Sequence, residues 1–232
     1  MELVQCKNLS KDYGNKKALE NINFSIPAGR IVGLLGSNGS GKTTFIKIMN
    51  DLLVPSSGEL LIKGKRPGVE SKKIISYLPE RTYLPYDKKV FELVNYFKDF
   101  YEDFNEEKAY KLLEQLGIKK EDKLKQMSKG TKEKVQLVLV MSREADIYVL
   151  DEPIGGVDPL ARDQILDLIL KNFKEGASLL ISTHLIADIE KILDDVIFIN
   201  EGKIILTSSA DELRNQYHTS IENVFKEVFK KC

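Results

Sequence analysis

Residues 36–44 read GSNGSGKTT and fit the pattern G-x-x-x-x-G-K-[ST], with Gly36, Gly41, Lys42 and Thr43 at the fixed places. An apolar run, Ile31-Val32-Gly33-Leu34-Leu35, precedes it, and TFIKIMNDLL follows with helical spacing of apolar residues. Strand, glycine loop and helix together make this more than a string match. Glycines let consecutive backbone N–H groups converge on one anion. The helix start adds about half a positive charge from its dipole. The whole run, Gly36, Ser37, Asn38, Gly39, Ser40, Gly41, Lys42, Thr43 and Thr44, is therefore the candidate phosphate cradle. Within it, Lys42 is expected on the β- and γ-phosphates and the Thr43 hydroxyl on Mg²⁺. The competing reading is a Gly/Ser turn followed by a basic helix.

The 232 residues suffice for one large α/β domain, with or without an inserted subdomain. Lys+Arg and Asp+Glu balance at 35 each, which argues against a nucleic-acid protein held by general basicity. Cys6 and Cys232 sit at opposite ends without metal-like spacing, so a reducing compartment is the simple reading. No stretch approaches the ~20 apolar residues of a membrane helix. The start, MELVQCKNLSKDYG, has neither the basic nor the apolar region of a signal peptide. A soluble, cytosolic protein is expected, with any membrane role coming through a partner.

The expected fold class is α/β: a P-loop core on a mixed sheet, an N-terminal antiparallel β region and an inserted helical subdomain. Residues 1–35 are β-rich, with LENINFSI near alternation and a turn at Pro27-Ala28-Gly29. ELLIKGK reads as a further strand after the Ser56-Ser57-Gly58 turn. From about residue 87 to 143 the periodicity is helical, in VFELVNYFKDFY, EEKAYKLLEQLG and TKEKVQLVLVMSR. Strand patterns return in DIYVLDEP, ASLLIST and DVIFINEGKIIL, the last with a hairpin turn at Glu201-Gly202. Helices are expected over about 209–232, and Thr219 with Glu222 predicts a capping box before a helix whose stripe is Ile221, Val224, Phe225, Val228 and Phe229. The expected division is one domain, 1–232.

A nucleotide site needs a second Mg²⁺ anchor and a group that positions water. Ile147–Glu152 (IYVLDE) is an apolar strand ending in two carboxylates, where a parallel sheet presents its ligand edge. Asp151 is expected to hold Mg²⁺ through its water shell and Glu152 to act as the base. A strand stopping at two solvated acids is the alternative. His184 ends ASLLISTH, and there an imidazole can hydrogen-bond the γ-phosphate and the water. A lone histidine is more often structural, and His218 is read as surface. Tyr13, in the polar KDYGNKK, is placed to stack on adenine, unless it is an ordinary turn tyrosine.

With these residues in hand, the chain resembles the ATP-binding subunit of the ABC transporters along nearly its whole length. Tyr13 sits at the family's adenine-stacking aromatic and GSNGSGKTT at its phosphate loop. YLPER (77–81) lies at the Q-loop, MSKGT (127–131) at the signature motif, VLDEP (149–153) at the second carboxylate motif, GGVD (155–158) at the D-loop and STH (182–184) at the switch histidine. The resemblance implies an ATPase using ATP and Mg²⁺. It implies two such subunits, as a homodimer or heterodimer, bound head to tail around two ATP molecules. Each ATP would meet the phosphate loop of one subunit and Ser128 and Gly130 of the other. It further implies a transmembrane permease partner, which would hold the protein on the inner face of the membrane, and no nucleic acid. Three departures stand out. Met127, Lys129 and Thr131 replace the usual signature residues, Glu80 takes the Q-loop glutamine position as a carboxylate that can still ligate Mg²⁺, and Gly155-Gly156 stand in the D-loop. The SKG-type signature looks like the export branch. A soluble ABC ATPase of the iron–sulfur assembly type is the alternative. A P-loop kinase or GTPase would leave MSKGT and STH unexplained.

Overall fold

The computed structural model describes residues 2–230; Cys232 lies outside them. Two sheets form. In the first, β1 (Glu2–Tyr13) pairs antiparallel with β2 (Lys16–Pro27) and with a later strand, β4 (Ser57–Ile62). Between them in sequence come β3 (Ile31–Leu35) and α1 (Lys42–Met49), which carry the glycine loop. A short α2 (Val69–Ile74) then leads into β5 (Ile75–Leu78).

Helices α3 (Val90–Phe100), α4 (Glu106–Gln115) and α5 (Lys129–Met141) follow without an intervening strand. They pack around their own core, in which Leu93, Val94, Phe97, Leu112, Leu113, Val135 and Val138 are buried. Arg143 ties this helical unit to the sheet. Its guanidinium is buried, pairs with Asp103 at 2.9 and 3.0 Å, and donates to the carbonyls of Lys73 and Ile75, each at 2.6 Å. The guanidinium also lies over the Tyr101 ring at 3.9 Å, so the buried charge is paired, hydrogen-bonded and stacked, which is the condition for burying an ion without a large penalty.

The second sheet is completed by β6 (Ile147–Asp151), β7 (Ser178–Thr183), β8 (Asp195–Asn200) and β9 (Lys203–Ser209). Its order is β5-β6-β7-β3-β8-β9, parallel except for the last pair. The mixed sheet expected from sequence is therefore present, and so is the antiparallel N-terminal region. Central strands are covered on both faces, which is why they read as unbroken apolar runs. Along β6 the side chains alternate: Ile147 and Val149 join the core under α1 and the first sheet, while Tyr148 and Leu150 join the opposite one. The hairpin between β8 and β9 turns at Glu201 (φ +46°) and Gly202 (φ +77°), as the sequence predicts.

Helix α6 (Pro159–Asn172) and a single-turn α7 (Ile186–Ile189) flank β7, and α8 (Ala210–Tyr217) and α9 (Ile221–Lys230) close the chain. The apolar stripe of α9 is as expected, with Ile221 and Val224 buried and Phe225 edge-on to Phe198 at 5.3 Å. Its cap differs from the expected Thr219–Glu222 box. Ser220 Oγ accepts from the Asn223 N–H at 3.2 Å, and Glu222 pairs with Lys226 at 2.8 Å. The hydroxyl one residue nearer the helix has the geometry to reach the third amide. His218 is exposed and ends α8 at φ +50°, consistent with a surface residue. Cys6 is buried, and burial pushes its thiol up to about 12, so it is protonated and inert.

Candidate functional site

A cavity of about 1080 Å³ opens at the carboxyl ends of β3 and β6. That is where a parallel sheet presents ligands, because the strands end there and the following loops diverge. The glycine loop forms one wall. Gly39 (φ +81°) and Gly41 (φ +113°) take left-handed backbone that an L side chain adopts only with strain. Gly36 is required for a second reason: a Cβ there would lie 2.3 Å from the Ile199 carbonyl. Asn38, Gly39, Gly41, Lys42, Thr43 and Thr44 line the cavity; Gly36 and Ser40 are buried in the loop, and Ser37 is exposed outside the lining. The Ser40 hydroxyl is buried with no hydrogen-bond partner.

Lys42 is 5% exposed, and its Nζ donates to the carbonyls of Gly36 at 2.9 Å and Ser37 at 3.2 Å. It also stands 3.5 Å from Glu152 Oε1. The opposite wall holds the ends of β6 and β7. Asp151 is paired in register with Ser182, whose hydroxyl donates to Asp151 Oδ1. Glu152 follows at φ +51°, a left-handed backbone worth about 1–3 kcal/mol of strain in a non-glycine residue. Its N–H donates to the Ser182 carbonyl at 2.9 Å, which holds the bend. His184 Nδ1 lies 3.1 and 3.0 Å from the two Glu152 carboxylate oxygens, and Thr183 Oγ1 donates to Oε2 at 2.9 Å. A carboxylate facing Nδ1 sets that nitrogen as the donor and leaves Nε2 for the cavity.

Burial pushes the Asp151 carboxyl above its ordinary range, while the Ser182 hydrogen bond and the nearby Thr43 hydroxyl pull the other way. Its second oxygen, Oδ2, is buried without a partner. A buried orphan acceptor next to a threonine hydroxyl is a donor set that a hydrated divalent cation satisfies. Among the described residues, no group of three or more His, Cys, Asp or Glu side chains is arranged to hold a metal by itself. Thr43 and Asp151 therefore fit Mg²⁺ that keeps most of its water and phosphate ligands. Glu80 is exposed, lines the same cavity, and its charge reaches Asp151.

Tyr13 lies at the end of β1, half exposed, on the cavity rim with Lys16. Lys11 Nζ stands over its ring at 5.5 Å, a cation–π contact that holds the ring at the surface. Ser128 caps α5, accepting from the Thr131 N–H at 3.1 Å. Neither Ser128 nor Gly130 lines the cavity. Lys129 lines the cavity with a side chain that is 84% exposed and 3.7 Å from Glu133.

Sequence reasoning missed five contributors. Lys16, Arg81 and Lys132 add positive charge to the cavity wall, and Ser182 and Thr183 hold the two carboxylates. The clustered lysines of KDYGNKK were a legible signal for the first. The hydroxyls of STH were legible only as a string.

The ABC transporter family model matches residues 19–155. An ABC transporter ATP-binding protein of Methanocaldococcus jannaschii is 34% identical over 207 residues, covering 87% of this chain and 76% of that protein. The SkfA peptide export ATP-binding protein of Bacillus subtilis is 33% identical over 211 residues, covering 88% of each. A solved ATP-binding subunit of an ABC transporter superposes with a TM-score of 0.88 at 28% identity, covering 98% of this chain and 99% of that one. The glycine loop, Glu152 and His184 thus meet in one cavity on the fold of these relatives, and the chain belongs to the ABC transporter ATP-binding family.

Proposed function

We propose that the protein binds and hydrolyses ATP to drive export through a separate transmembrane permease. The observation that carries this reading is the cavity itself, which sets Lys42, Glu152 and His184 around one space beside a helix N-terminus, with Asp151 buried next to it at the end of β6. In this reading Tyr13 stacks on adenine, and the 36–44 amides with Lys42 hold the phosphates. Thr43 and Asp151, with Glu80, hold Mg²⁺, which when bound neutralises charge on the phosphates. Glu152 takes the proton of the attacking water, and His184 hydrogen-bonds the γ-phosphate.

Ser128 and Gly130 do not line the cavity of one chain, and in this reading a second copy or a related subunit supplies them head to tail. ATP then closes the pair and hydrolysis opens it. Residues 1–232 act as a single domain, with about 87–143 as an inserted helical subdomain and about 209–232 as closing helices. In this reading a permease holds the protein at the inner membrane face; among the described residues no helix is long and apolar enough to cross a membrane. Export is favoured by the similarity to a peptide-export relative.

The test is co-purification with the membrane protein encoded beside this chain. A neighbouring frame with about six apolar segments of ~20 residues is expected. Its product should bind this chain in detergent and raise ATP hydrolysis. A chain that binds no such protein and hydrolyses ATP equally well alone would instead serve non-transport work.

A further inference from the structure

Three side chains reach the Glu152 carboxylate, and they are not equivalent. Lys42 and His184 both line the cavity, within reach of an incoming phosphate. Thr183 does not line it; it is fully buried at the end of β7. A bound nucleotide competes for the lysine and for the imidazole, because both are donors that phosphate oxygens attract. It has no route to the threonine.

The threonine hydroxyl is also directed. Thr183 Oγ1 accepts from the Leu185 N–H at 3.0 Å, at the start of α7. With that acceptor position filled, its own hydrogen is free for Glu152 Oε2 at 2.9 Å. The backbone supports the same arrangement. β6 and β7 run parallel with Asp151 opposite Ser182, and the Glu152 N–H bonds the Ser182 carbonyl. The residue after Asp151 therefore turns toward the residue after Ser182. Glu152 at φ +51° would otherwise have a choice of rotamers around a strained bend.

We infer that Thr183 is the positioning residue that fixes the Glu152 carboxylate toward the attacking water once nucleotide has drawn Lys42 and His184 away. The inference rests on Glu152 being the base. One oxygen, Oε2, is held by the buried hydroxyl, and Oε1 is left to accept the water proton. Losing the hydroxyl costs orientation rather than affinity, because Thr183 never touches the nucleotide.

The test measures kcat, KM and fluorescent-ATP affinity on the full chain for Thr183→Val, Thr183→Ala, Thr183→Ser and Glu152→Gln. Thr183→Val is isosteric and should lower kcat by ~10-fold or more, part of the 10²–10⁴ that a placed base supplies, with affinity within about twofold of the parent. Thr183→Ser keeps the hydroxyl and should recover kcat to within about threefold. In a Glu152→Gln background, Thr183→Val should have no further effect on single-turnover hydrolysis. If Thr183→Val melts well below the parent, Thr183→Ala against Thr183→Ser carries the comparison at a temperature where both are folded. Parent-like kcat without the hydroxyl, equal impairment in Thr183→Ser, a loss confined to affinity, or an undiminished further loss in the Glu152→Gln background would each overturn the inference. Parent-rate hydrolysis by Glu152→Gln would overturn the assignment of the base, and this inference with it. Loss in Glu152→Gln with none in Thr183→Val would overturn the inference alone.

Discussion

Lys42 Nζ stands 3.5 Å from Glu152 Oε1, joining the first turn of α1 to the residue that follows β6. Both side chains are nearly buried, so the pair is felt more strongly than a surface salt bridge. The lysine is also folded back on its own loop through the Gly36 and Ser37 carbonyls. Nucleotide phosphates would replace these partners with more negative ones. The charge of Lys42 is then the main attraction at the β- and γ-phosphates.

Lys42→Ala should therefore abolish ATP binding, measured with a fluorescent or radiolabelled nucleotide. Charge-assisted bonds to phosphate are about twice as strong as neutral ones, so no neighbour compensates. Affinity within about threefold of the parent would remove Lys42 from the phosphate site.

Glu152→Gln keeps the shape of the side chain and removes the base. ATP binding should persist while turnover falls by about 10²–10⁴-fold. The ATP-bound pair should then accumulate and elute as a larger species in gel filtration with ATP. Hydrolysis at the parent rate would mean another group takes the proton. A loss of binding would move Glu152 to the metal shell.

How far the sequence carries depends on whether a feature is local. GSNGSGKTT, VLDE and STH are each a strand end with its own chemistry, and all three were readable in order. Strands β6 and β7 were readable because burial on both faces leaves an unbroken apolar run. What was not readable is register. The Thr183–Glu152 bond exists because Asp151 pairs with Ser182, and nothing in either segment specifies that offset. Arg143 shows the same limit: it ended a helical pattern, and only the fold reveals that it holds Asp103, Lys73 and Ile75 together. The cap of α9 failed on a finer scale, since Thr219 and Ser220 are adjacent hydroxyls and only one has the reach.

Glu80 separates a metal role from a bystander. If it ligates Mg²⁺, Glu80→Gln should retain activity and Glu80→Ala should lose much of it, most visibly at low Mg²⁺. The carboxylate is exposed and its charge reaches Asp151, so the effect should appear as a shifted Mg²⁺ requirement. A Glu80→Ala protein as active as the parent across a Mg²⁺ titration would show that the side chain points away.

Asp146 gives a stability test away from the site. Burial raises its carboxyl, but Lys63 at 2.6 Å and Lys174 at 3.0 Å outweigh that and hold it below the ordinary carboxylate range. A depressed acid contributes stability above the unfolded value of about 3.9, and loses it as pH falls through the folded value. Asp146→Asn should therefore melt below the parent at pH 7, with the gap closing toward pH 3 and shrinking in about 1 M salt. A gap independent of pH would mean the loss comes from packing.

The shared site can be tested by complementation. Ser128 caps α5 and, with Gly130, lies off its own chain's cavity, so each ATP would need these residues from a second chain. Ser128→Arg should block hydrolysis while leaving ATP binding to the monomer nearly intact. Lys42→Ala should lack binding altogether. A mixed dimer pairs Lys42 from the Ser128→Arg chain with the intact signature of the Lys42→Ala chain, which makes one whole site; the other carries both lesions. Mixing the two inactive proteins should then restore part of the ATPase, and the restored rate should rise with the product of the two concentrations while dimers are scarce. Hydrolysis by Ser128→Arg alone at the parent rate, first order in protein, would instead place the whole site within one chain.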